Sequence, residues 1–176
     1  MLELQSKAPD FDLLGTDGKK YSLRSFGAKP VLAVVFTCNH CPYAQAYEGR
    51  LVAIQKDYAG KGVQFVAINS NDDKSYPEDS YPKMVERAKA KGFNFPYLRD
   101  PDQKVVTDYG AVCTPHVFAF DNDRRLRYRG RIDDSRDPKQ AKSPDLRNAL
   151  DDLLAGREVR VADTKPFGCS IKWMVL

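Results

Sequence analysis

The sequence has no long hydrophobic run. No stretch approaches the ~20 consecutive apolar residues that a membrane-spanning helix requires. The first residues, MLELQSKAPDFDL, also lack the basic start and following apolar run of a signal peptide. We therefore expect a cytoplasmic protein with no membrane partner.

A strong charge of one sign is also missing. The chain has 28 Lys and Arg residues against 24 Asp and Glu residues, which gives a net charge of +4. This excess is mild, so nothing in the charge balance demands a nucleic-acid partner. A chain of 176 residues with 42% hydrophobic residues is long enough for one folded core and short for two. We predict a single domain over residues 1–176.

Cysteine and histidine are scarce, with four and two residues respectively. In a reducing compartment, a few cysteines favour catalysis, redox sensing or metal binding over a permanent disulfide framework. A structural zinc ion prefers four tetrahedral ligands, and two histidines supply few of them. Metal binding therefore remains an alternative, and no cofactor is predicted.

The clearest functional pattern lies in residues 31–47, VLAVVFTCNHCPYAQAY. The six apolar residues at its start predict a strand that is buried on both faces. Thr37 follows, and then two cysteines, Cys38 and Cys41, enclose Asn-His. Pro42 comes directly after the second cysteine and suits the first turn of a helix. The cysteine pair is therefore expected where a strand passes into a helix.

At such a junction, Cys38 should be the more acidic and accessible thiol. A helix N-terminus presents unpaired N–H groups and a partial positive charge, and His40 between the cysteines can add to this stabilisation. Settings of this kind lower a cysteine pKa from ~8.5 to roughly 3.5–7.5. Because the thiolate is the attacking species, we predict Cys38 as the nucleophile and Cys41 as the resolving thiol.

A second motif, VCTPHVFAFD, occupies residues 112–121. A bond that precedes proline is where a cis peptide is inexpensive, and proline has no N–H to crowd a neighbouring thiolate. With the C-x-x-C at a strand-to-helix junction, this motif resembles the thioredoxin superfamily. The resemblance implies that Pro115 faces the cysteine pair and that the backbone of Thr114 can pair with a bound peptide.

The N-terminal residues narrow the resemblance. Residues 8–24 begin A-P-D-F and contain an Asp-Gly turn, so they predict a β-hairpin. This extension resembles the redoxin branch of the superfamily, which includes peroxiredoxins and TlpA-like proteins. The fold implied is an α/β thioredoxin fold, with a central mixed β-sheet flanked by helices and an N-terminal hairpin extension.

The C-terminal tail, residues 157–176, strengthens this likeness. Its segment GCSIKW, taken with the two motifs, resembles a peroxiredoxin-like group of thioredoxin-fold proteins along essentially the whole chain. The tail carries the only tryptophan, Trp173, so we expect it to be packed against the domain.

The chain departs from the peroxiredoxin pattern P-x-x-x-T-x-x-C. Cys41 would take the position of the peroxide-reducing cysteine, but Cys38 stands in place of the Thr and Val34 in place of the Pro. Pro115 stands where an arginine is expected. Donors to the O–O bond are therefore missing, and a thiol peroxidase that uses Cys41 is the second hypothesis.

The chain also departs from thioredoxin. Leu32 occupies the place of a buried acidic residue that, in the family, helps to deprotonate the resolving thiol. The sequence shows no substitute for it, because Glu48 on the following helix is expected at the surface or in a helix cap. The polar loop of residues 69–82 follows a buried strand, at the sheet edge where ligands bind. A solvated connector is the favoured interpretation of this loop, and a lid beside the thiols is the alternative.

Two further cysteines are possible accessory thiols. The loop that carries Cys113 should face the cysteine pair, although packing as a small hydrophobic residue is favoured. Cys169 in the tail could act as an extra resolving thiol or pair with Cys113, and packing is again favoured.

The predicted function is thiol-disulfide exchange through a Cys38–Cys41 redox pair, with an antioxidant role. Thr37, His40, Pro42, Thr114 and Pro115 are the predicted activating or substrate-positioning residues. The expected partners are a protein or small-molecule disulfide and an electron donor that the sequence does not identify. Beside the peroxidase, a third hypothesis is metal binding or delivery by the cysteine pair and His40, with His116 or Cys169 as a further ligand.

Overall fold

The centre of the fold is a mixed β-sheet. The structure is a computed structural model and describes residues 1–175, so Leu176, the last residue of the predicted tail, lies outside the described residues. The strands are β1 (Leu13–Gly15), β2 (Lys20–Tyr21), β3 (Val31–Phe36), β4 (Val63–Asn69), β5 (Tyr97–Arg99), β6 (Cys113–Thr114), β7 (His116–Phe120), β8 (Leu126–Gly130) and β9 (Cys169–Ser170). The α-helices are α1 (Pro42–Tyr58), α2 (Tyr81–Ala90), α3 (Lys104–Tyr109) and α4 (Asp145–Leu154).

Seven of these strands form one sheet, in the order β2-β1-β5-β4-β3-β7-β8. The central strand β3 runs parallel to β4 and antiparallel to β7, and β4 runs parallel to β5. The hairpin β1–β2 extends one edge of the sheet by pairing with β5. The predicted mixed sheet, its flanking helices and the N-terminal hairpin are confirmed.

Strand β3 is buried on both faces, as its apolar run predicts. Ala33 and Val35 face a core that includes side chains from α1, α2 and α4. Leu32, Val34 and Phe36 face a second core, built with α3 and the N-terminal segment. Because both faces are covered, β3 is held firmly, and its C-terminal end delivers the cysteine motif to a fixed position.

The tail is attached to the domain by its backbone. Strand β9 pairs antiparallel with β6 in a separate two-stranded sheet, and Ile171 is 6% exposed and joins the second core. The expectation that the tail packs against the domain is confirmed, although the Trp173 ring itself is 50% exposed. The pairing of β9 and the burial of Ile171 hold the tail without that ring.

Within residues 1–175, no helix is both long enough and apolar enough to cross a membrane.

Candidate active site

The junction of β3 and α1 presents the cysteine motif. Beyond the last residue of β3, the backbone N–H of Thr37 donates to the carbonyl of Ile68 at 2.9 Å, which continues the pairing with β4. Cys38 follows, and α1 begins at Pro42, directly after Cys41. The predicted strand-to-helix placement is confirmed, but both cysteine side chains are 1% exposed.

The Thr114-Pro115 loop lies against both cysteines. The peptide bond between these residues is cis, as predicted. The Sγ atom of Cys38 lies 3.4 Å from the hydroxyl oxygen of Thr114, and the Sγ atom of Cys41 lies 3.8 Å from the carbonyl oxygen of the same residue. Thr114 therefore contacts both members of the predicted redox pair.

Cys41 is bonded to Cys169 across a sequence separation of 128 residues. The expectation that Cys169 is simply packed, or paired with Cys113, is wrong. The pairing of β9 with β6 sets Cys169 opposite Thr114, and this places the tail sulfur at the start of α1. Cys38 and Cys113 are free thiols in this oxidised state, while Cys38 and Cys41 share one buried cluster.

The pKa of Cys38 is raised to about 11, so the predicted acidic, accessible thiolate is wrong for this state. Burial is the largest cause, and the negative charge of Asp79 raises the pKa further. The Thr114 hydroxyl and the backbone N–H groups of Cys41 and His40 act in the opposite direction. The helix amides that we expected are present, but the desolvation of the thiolate outweighs them.

The imidazole of His40 is held by a carboxylate. Its Nδ1 atom forms a hydrogen-bond contact with the Oδ2 atom of Asp79, and its ring stacks on Tyr76 with a centroid distance of 5.2 Å. Of the groups that His40 carries, the backbone N–H is the one that acts on the Cys38 pKa. The imidazole is not among the groups that do so. The predicted role of the imidazole beside the thiolate therefore remains a prediction that this geometry does not support.

Asp79 lies in the site beside Cys38 and His40, and sequence reasoning missed it. Its side chain is completely buried. One oxygen accepts hydrogen bonds from the Asn39 N–H at 2.6 Å and from the Asn69 side chain at 3.1 Å, and the other accepts one from Asn71 at 3.1 Å. The loop after β4 thus places a buried carboxylate beside Cys38, and the expectation that the resolving thiol Cys41 has no acidic residue to deprotonate it stays a prediction.

This loop is more than a solvated connector. The segment Asn69 to Asp72 is buried, and it helps to anchor Asp79 beside the cysteine motif. The sequence signal for this arrangement was the polar run Asn-Ser-Asn-Asp at the end of a buried strand. The connection from this run to Asp79 is short, so Asp79 can lie at the same edge of the sheet. The favoured interpretation of a solvated connector is therefore wrong for Asn69 to Asp72, and the alternative of a lid beside the thiols stays a prediction.

Ligand atoms of Cys38, His40 and Asp79 lie within 4.8 Å of one another, which is close enough for a metal ion. Both carboxylate oxygens of Asp79 already accept hydrogen bonds. The other predicted ligands are engaged elsewhere: Cys41 is bonded to Cys169. This donor set does not favour a metal ion.

His116 lies on β7 and is completely buried. Burial is the main cause that lowers its pKa to about 4, and its Nδ1 atom accepts a hydrogen bond from the Val112 N–H at 3.2 Å. It is therefore a neutral core residue. Cys113 is also buried, its pKa is raised to about 11 by burial, and its free thiol fits the expected packing role.

Glu48 is 6% exposed, so its predicted surface position is wrong. The Nε and Nη2 atoms of Arg87 each lie 2.6 Å from one of its carboxylate oxygens. This bidentate pair joins α1 to α2 and satisfies a charge that would otherwise be costly to bury. An open pocket of about 440 Å³ lies beside Arg87, and His40, Gln45 and Lys83 are among its other lining residues.

Comparison with known proteins places this site in a family. A solved structure of an uncharacterized conserved protein from Geobacillus kaustophilus is 42% identical, with a TM-score of 0.95, and the match covers 100% of this chain and 95% of that one. The thioredoxin domain of a thiol-disulfide oxidoreductase from Bacteroides vulgatus shares the fold, with a TM-score of 0.62, 17% identity, and coverage of 72% of this chain and 86% of that one.

A curated relative, the thiol-disulfide oxidoreductase ResA of Geobacillus thermodenitrificans, is 28% identical over 124 residues, which are 69% of this chain and 66% of the relative. The chain thus spans about two thirds of that protein. The Redoxin family model matches residues 3–150. These matches agree with the cysteine motif, the cis-proline loop and the N-terminal hairpin, and the chain belongs to the redoxin family.

Proposed function

We propose that the protein is a thiol-disulfide oxidoreductase that exchanges electrons with disulfides through Cys38 and Cys41. The observation that carries this proposal is a free thiol, Cys38, in the same buried cluster as a disulfide formed by Cys41. Both sulfur atoms contact Thr114, beside a cis-proline. The likeness to ResA supports the same chemistry.

Cys38 is the attacking thiol in this proposal. The Thr114 hydroxyl and two backbone N–H groups at the start of α1 favour its thiolate, and burial opposes them. A substrate or a local opening that restores water to Cys38 removes the largest cause of the raised pKa. In the closed, oxidised state Cys38 is therefore protonated and unreactive. Opening of the site lowers its pKa and so forms the attacking thiolate.

The substrates are disulfides of proteins or small molecules, and the electron donor is a thiol or dithiol. Attack by Cys38 forms a mixed disulfide and releases one substrate thiol. Cys41 then attacks the Cys38 sulfur and releases the second thiol. This assignment requires Cys41 to be reduced before substrate arrives, so the Cys41–Cys169 bond must first be opened by the donor.

A thiol peroxidase that uses Cys41 is the second candidate. The observation in its favour is the Cys41–Cys169 bond, which a peroxide-reducing cysteine and a distant resolving cysteine would form. The polar neighbour of the Cys41 sulfur is a carbonyl oxygen of Thr114, which cannot donate a hydrogen bond to peroxide. The geometry thus favours disulfide exchange over peroxide reduction.

We also propose a cytoplasmic location. In a reducing compartment the Cys41–Cys169 bond would be a transient catalytic disulfide and not a structural one. Rapid alkylation of thiols in intact cells, followed by peptide mass spectrometry, should find a mixture of bonded and free Cys41. A bond that stays complete in growing cells would contradict this location.

The test of the main proposal compares two free, buried cysteines. Cys38→Ser should abolish reduction of insulin by a dithiol donor, whereas Cys113→Ser should keep it, because both thiols have a pKa raised to about 11 but only Cys38 lies beside the Cys41 bond. Activity that persists in Cys38→Ser would exclude the proposal. Peroxide consumption that requires Cys41 and not Cys38 would select the peroxidase.

A further inference from the structure

Three sulfur atoms converge on one residue. Thr114 contacts the Cys38 sulfur through its hydroxyl and the Cys41 sulfur through its carbonyl, and its backbone pairs with Cys169. The Cys41–Cys169 bond shows directly that these two sulfurs can meet. Disulfide exchange needs a thiolate, a disulfide and contact between them. This site holds the Cys41–Cys169 disulfide, with Cys41 and the free Cys38 thiol in one buried cluster.

The tail cysteine is the partly exposed member of the set. Cys38 and Cys41 are 1% exposed, whereas Cys169 is only half-buried. An outside thiol therefore reaches the disulfide most easily at the Cys169 sulfur. The site thus offers two separate sulfurs: the partly exposed sulfur of Cys169 and the free thiol of Cys38 beside the cis-proline.

The tail does not depend on its disulfide to stay in place. The Asp72 N–H donates to the Lys172 carbonyl at 2.8 Å, and the Lys172 N–H donates to the Asn71 side chain at 3.0 Å. The side-chain amide of Gln103 donates to the same carbonyl at 2.9 Å. Because none of these bonds involves the disulfide, we expect them and the buried Ile171 to keep the Cys169 thiol close to Cys41 after reduction.

The close approach of the tail to the cis-proline loop depends on a glycine. A Cβ atom at Gly168 would lie 2.0 Å from the Thr114 carbonyl oxygen and 2.7 Å from its carbonyl carbon. Any other residue would push β9 away from β6. Because residue 168 is glycine, the backbone before Cys169 can pack directly against Thr114, which contacts the sulfurs of Cys38 and Cys41.

We propose that Cys169 is a third redox-active cysteine, and that a disulfide formed between Cys38 and Cys41 is passed on to the Cys41–Cys169 pair. This inference rests on the proposed function and adds a step to it. Cys38 receives the substrate, Cys41 is shared, and Cys169 holds the oxidised state until the donor arrives.

The steps balance in sulfur bonds and electrons. The Cys38 thiolate attacks the substrate disulfide, so that a mixed disulfide forms and one substrate thiolate leaves and takes a proton from water. Cys41 attacks the Cys38 sulfur, which forms the Cys38–Cys41 bond and releases the second substrate thiol. The Cys169 thiolate then attacks the Cys41 sulfur, forms the bond seen in the structure, and expels Cys38 as a thiolate that takes up a proton.

The net reaction oxidises two protein thiols, Cys41 and Cys169, and reduces one substrate disulfide to two thiols. A thiol-class donor closes the cycle: its thiolate attacks the Cys169 sulfur, Cys41 leaves, and a second donor thiol releases Cys169. After the third step, Cys38 is again a free thiol, which is its state in the structure.

The test follows the location of the disulfide during one turnover. The full chain with Cys113→Ser, which leaves only the three cysteines of the site, is reduced, freed of reductant and mixed with one equivalent of an aromatic disulfide that releases a coloured thiol. The reaction is quenched with acid at increasing times, alkylated and mapped by peptide mass spectrometry. We expect Cys38–Cys41 first and Cys41–Cys169 at the end, with Cys38 then alkylated.

The matched variant adds Cys169→Ser. It should release the same amount of coloured thiol in the first turnover but end as Cys38–Cys41, with complete loss of Cys38 alkylation. If the chain with Cys169 intact also ends as Cys38–Cys41, or if Cys41–Cys169 appears at an undiminished rate when Cys38 is Ser, the transfer step is wrong. If Cys38→Ser releases coloured thiol as the parent does, the proposed function fails as well.

The order of the two bonds in the chain with Cys169 intact tests the transfer without the Cys169 substitution. The inference thus remains decidable if that variant does not fold. Cys41–Cys169 that forms with no preceding Cys38–Cys41 bond would refute it.

Discussion

The buried carboxylate of Asp79 should control the acidity of Cys38. We predict that Asp79→Asn lowers the Cys38 pKa, because the negative charge of Asp79 raises it and the amide carries none. The variant keeps the size and shape of the side chain. In the variant, His40 and the side-chain amides of Asn69 and Asn71 would contact one oxygen and one NH₂ group in place of the two carboxylate oxygens.

The size of the expected change in the Cys38 pKa follows from the distance between the Cys38 sulfur and the Asp79 carboxylate. The ligand atoms of Cys38 and Asp79 lie at most 4.8 Å apart. Two unit charges at this separation in an effective dielectric of about 20 repel by roughly 3.5 kcal/mol, which corresponds to about 2.5 in pKa. The hydrogen bonds to Asp79 spread its charge. We therefore expect the Cys38 pKa to fall from about 11 by about 1 to 2.

The kinetic consequence is smaller than the change in ionisation. Each unit of lower pKa raises the thiolate fraction about tenfold at pH 8, but the weaker thiolate attacks roughly threefold more slowly. Reaction of Cys38 with a small aromatic disulfide should therefore accelerate about three- to tenfold. At a pH above both pKa values, where Cys38 is fully ionised in both proteins, the order should reverse, because only the weaker nucleophilicity of the variant thiolate remains.

The assay uses oxidised protein with Cys113→Ser, in which Cys38 is the one remaining free thiol. Thiolate absorbance against pH gives the pKa. Asp100→Asn is the matched control, because Asp100 is equally buried and accepts hydrogen bonds from Ser70 and from backbone amides of α3. It is not among the main groups that act on the Cys38 pKa.

Both substitutions leave buried donors without an acceptor, at a cost of about 1–3 kcal/mol each. Loss of stability alone should therefore affect both variants, and only Asp79→Asn should change the Cys38 pKa. An Asp79→Asn protein whose Cys38 pKa stays at about 11 or rises would refute the electrostatic reasoning.

Three further predictions concern contacts around the site. Thr114→Val should raise the Cys38 pKa further and slow its reaction with disulfides, because the hydroxyl that favours the thiolate is lost; the same thiolate titration measures this. Gly168→Ala should lower stability by about 1–3 kcal/mol and speed reduction of the tail disulfide by a phosphine, because the added methyl group displaces β9. Glu48→Ala should lower the free energy of unfolding in urea by about 3 kcal/mol, because Arg87 loses its partner.

Each of these changes has its own control. Thr114→Ser keeps a hydroxyl and should restore the thiolate titration of the parent protein. Gly60→Ala adds a methyl group where no atom lies within 4 Å, so it should leave the rate of disulfide reduction unchanged. Arg87→Ala combined with Glu48→Ala should recover part of the lost stability, and a double variant as unstable as the sum of the singles would show that the pair is not coupled.

The placement of the cysteine motif could be predicted because its signals are local. Six consecutive apolar residues specify β3, and Pro42 specifies where α1 begins. The cis bond at Thr114-Pro115 was expected because residues 112–121 resemble the cis-proline loop of the thioredoxin superfamily. Backbone preferences and hydrophobic burial act over a few residues, so a short segment carries the information.

The redox state and acidity of the cysteines depend on distant parts of the chain. The partner of Cys41 comes from a tail that is 128 residues away, and cysteine spacing does not determine connectivity. The pKa of Cys38 is a balance between burial, Asp79, Thr114 and the helix amides. The amides are visible in the sequence, but the burial and the carboxylate arise only when the loop after β4 and the Thr114 loop fold against the motif.

The long reach of the Cys41–Cys169 bond couples electron transfer to the thermal stability of the whole domain. A cross-link over a separation of 128 residues restricts the unfolded chain by about 5 kcal/mol in the chain-entropy treatment. Total stabilities of domains are about 5–15 kcal/mol, so gaining two electrons removes a large share of the margin against unfolding. The melting temperature should thus report the oxidation state, and the reduced protein should be the form that proteases degrade first.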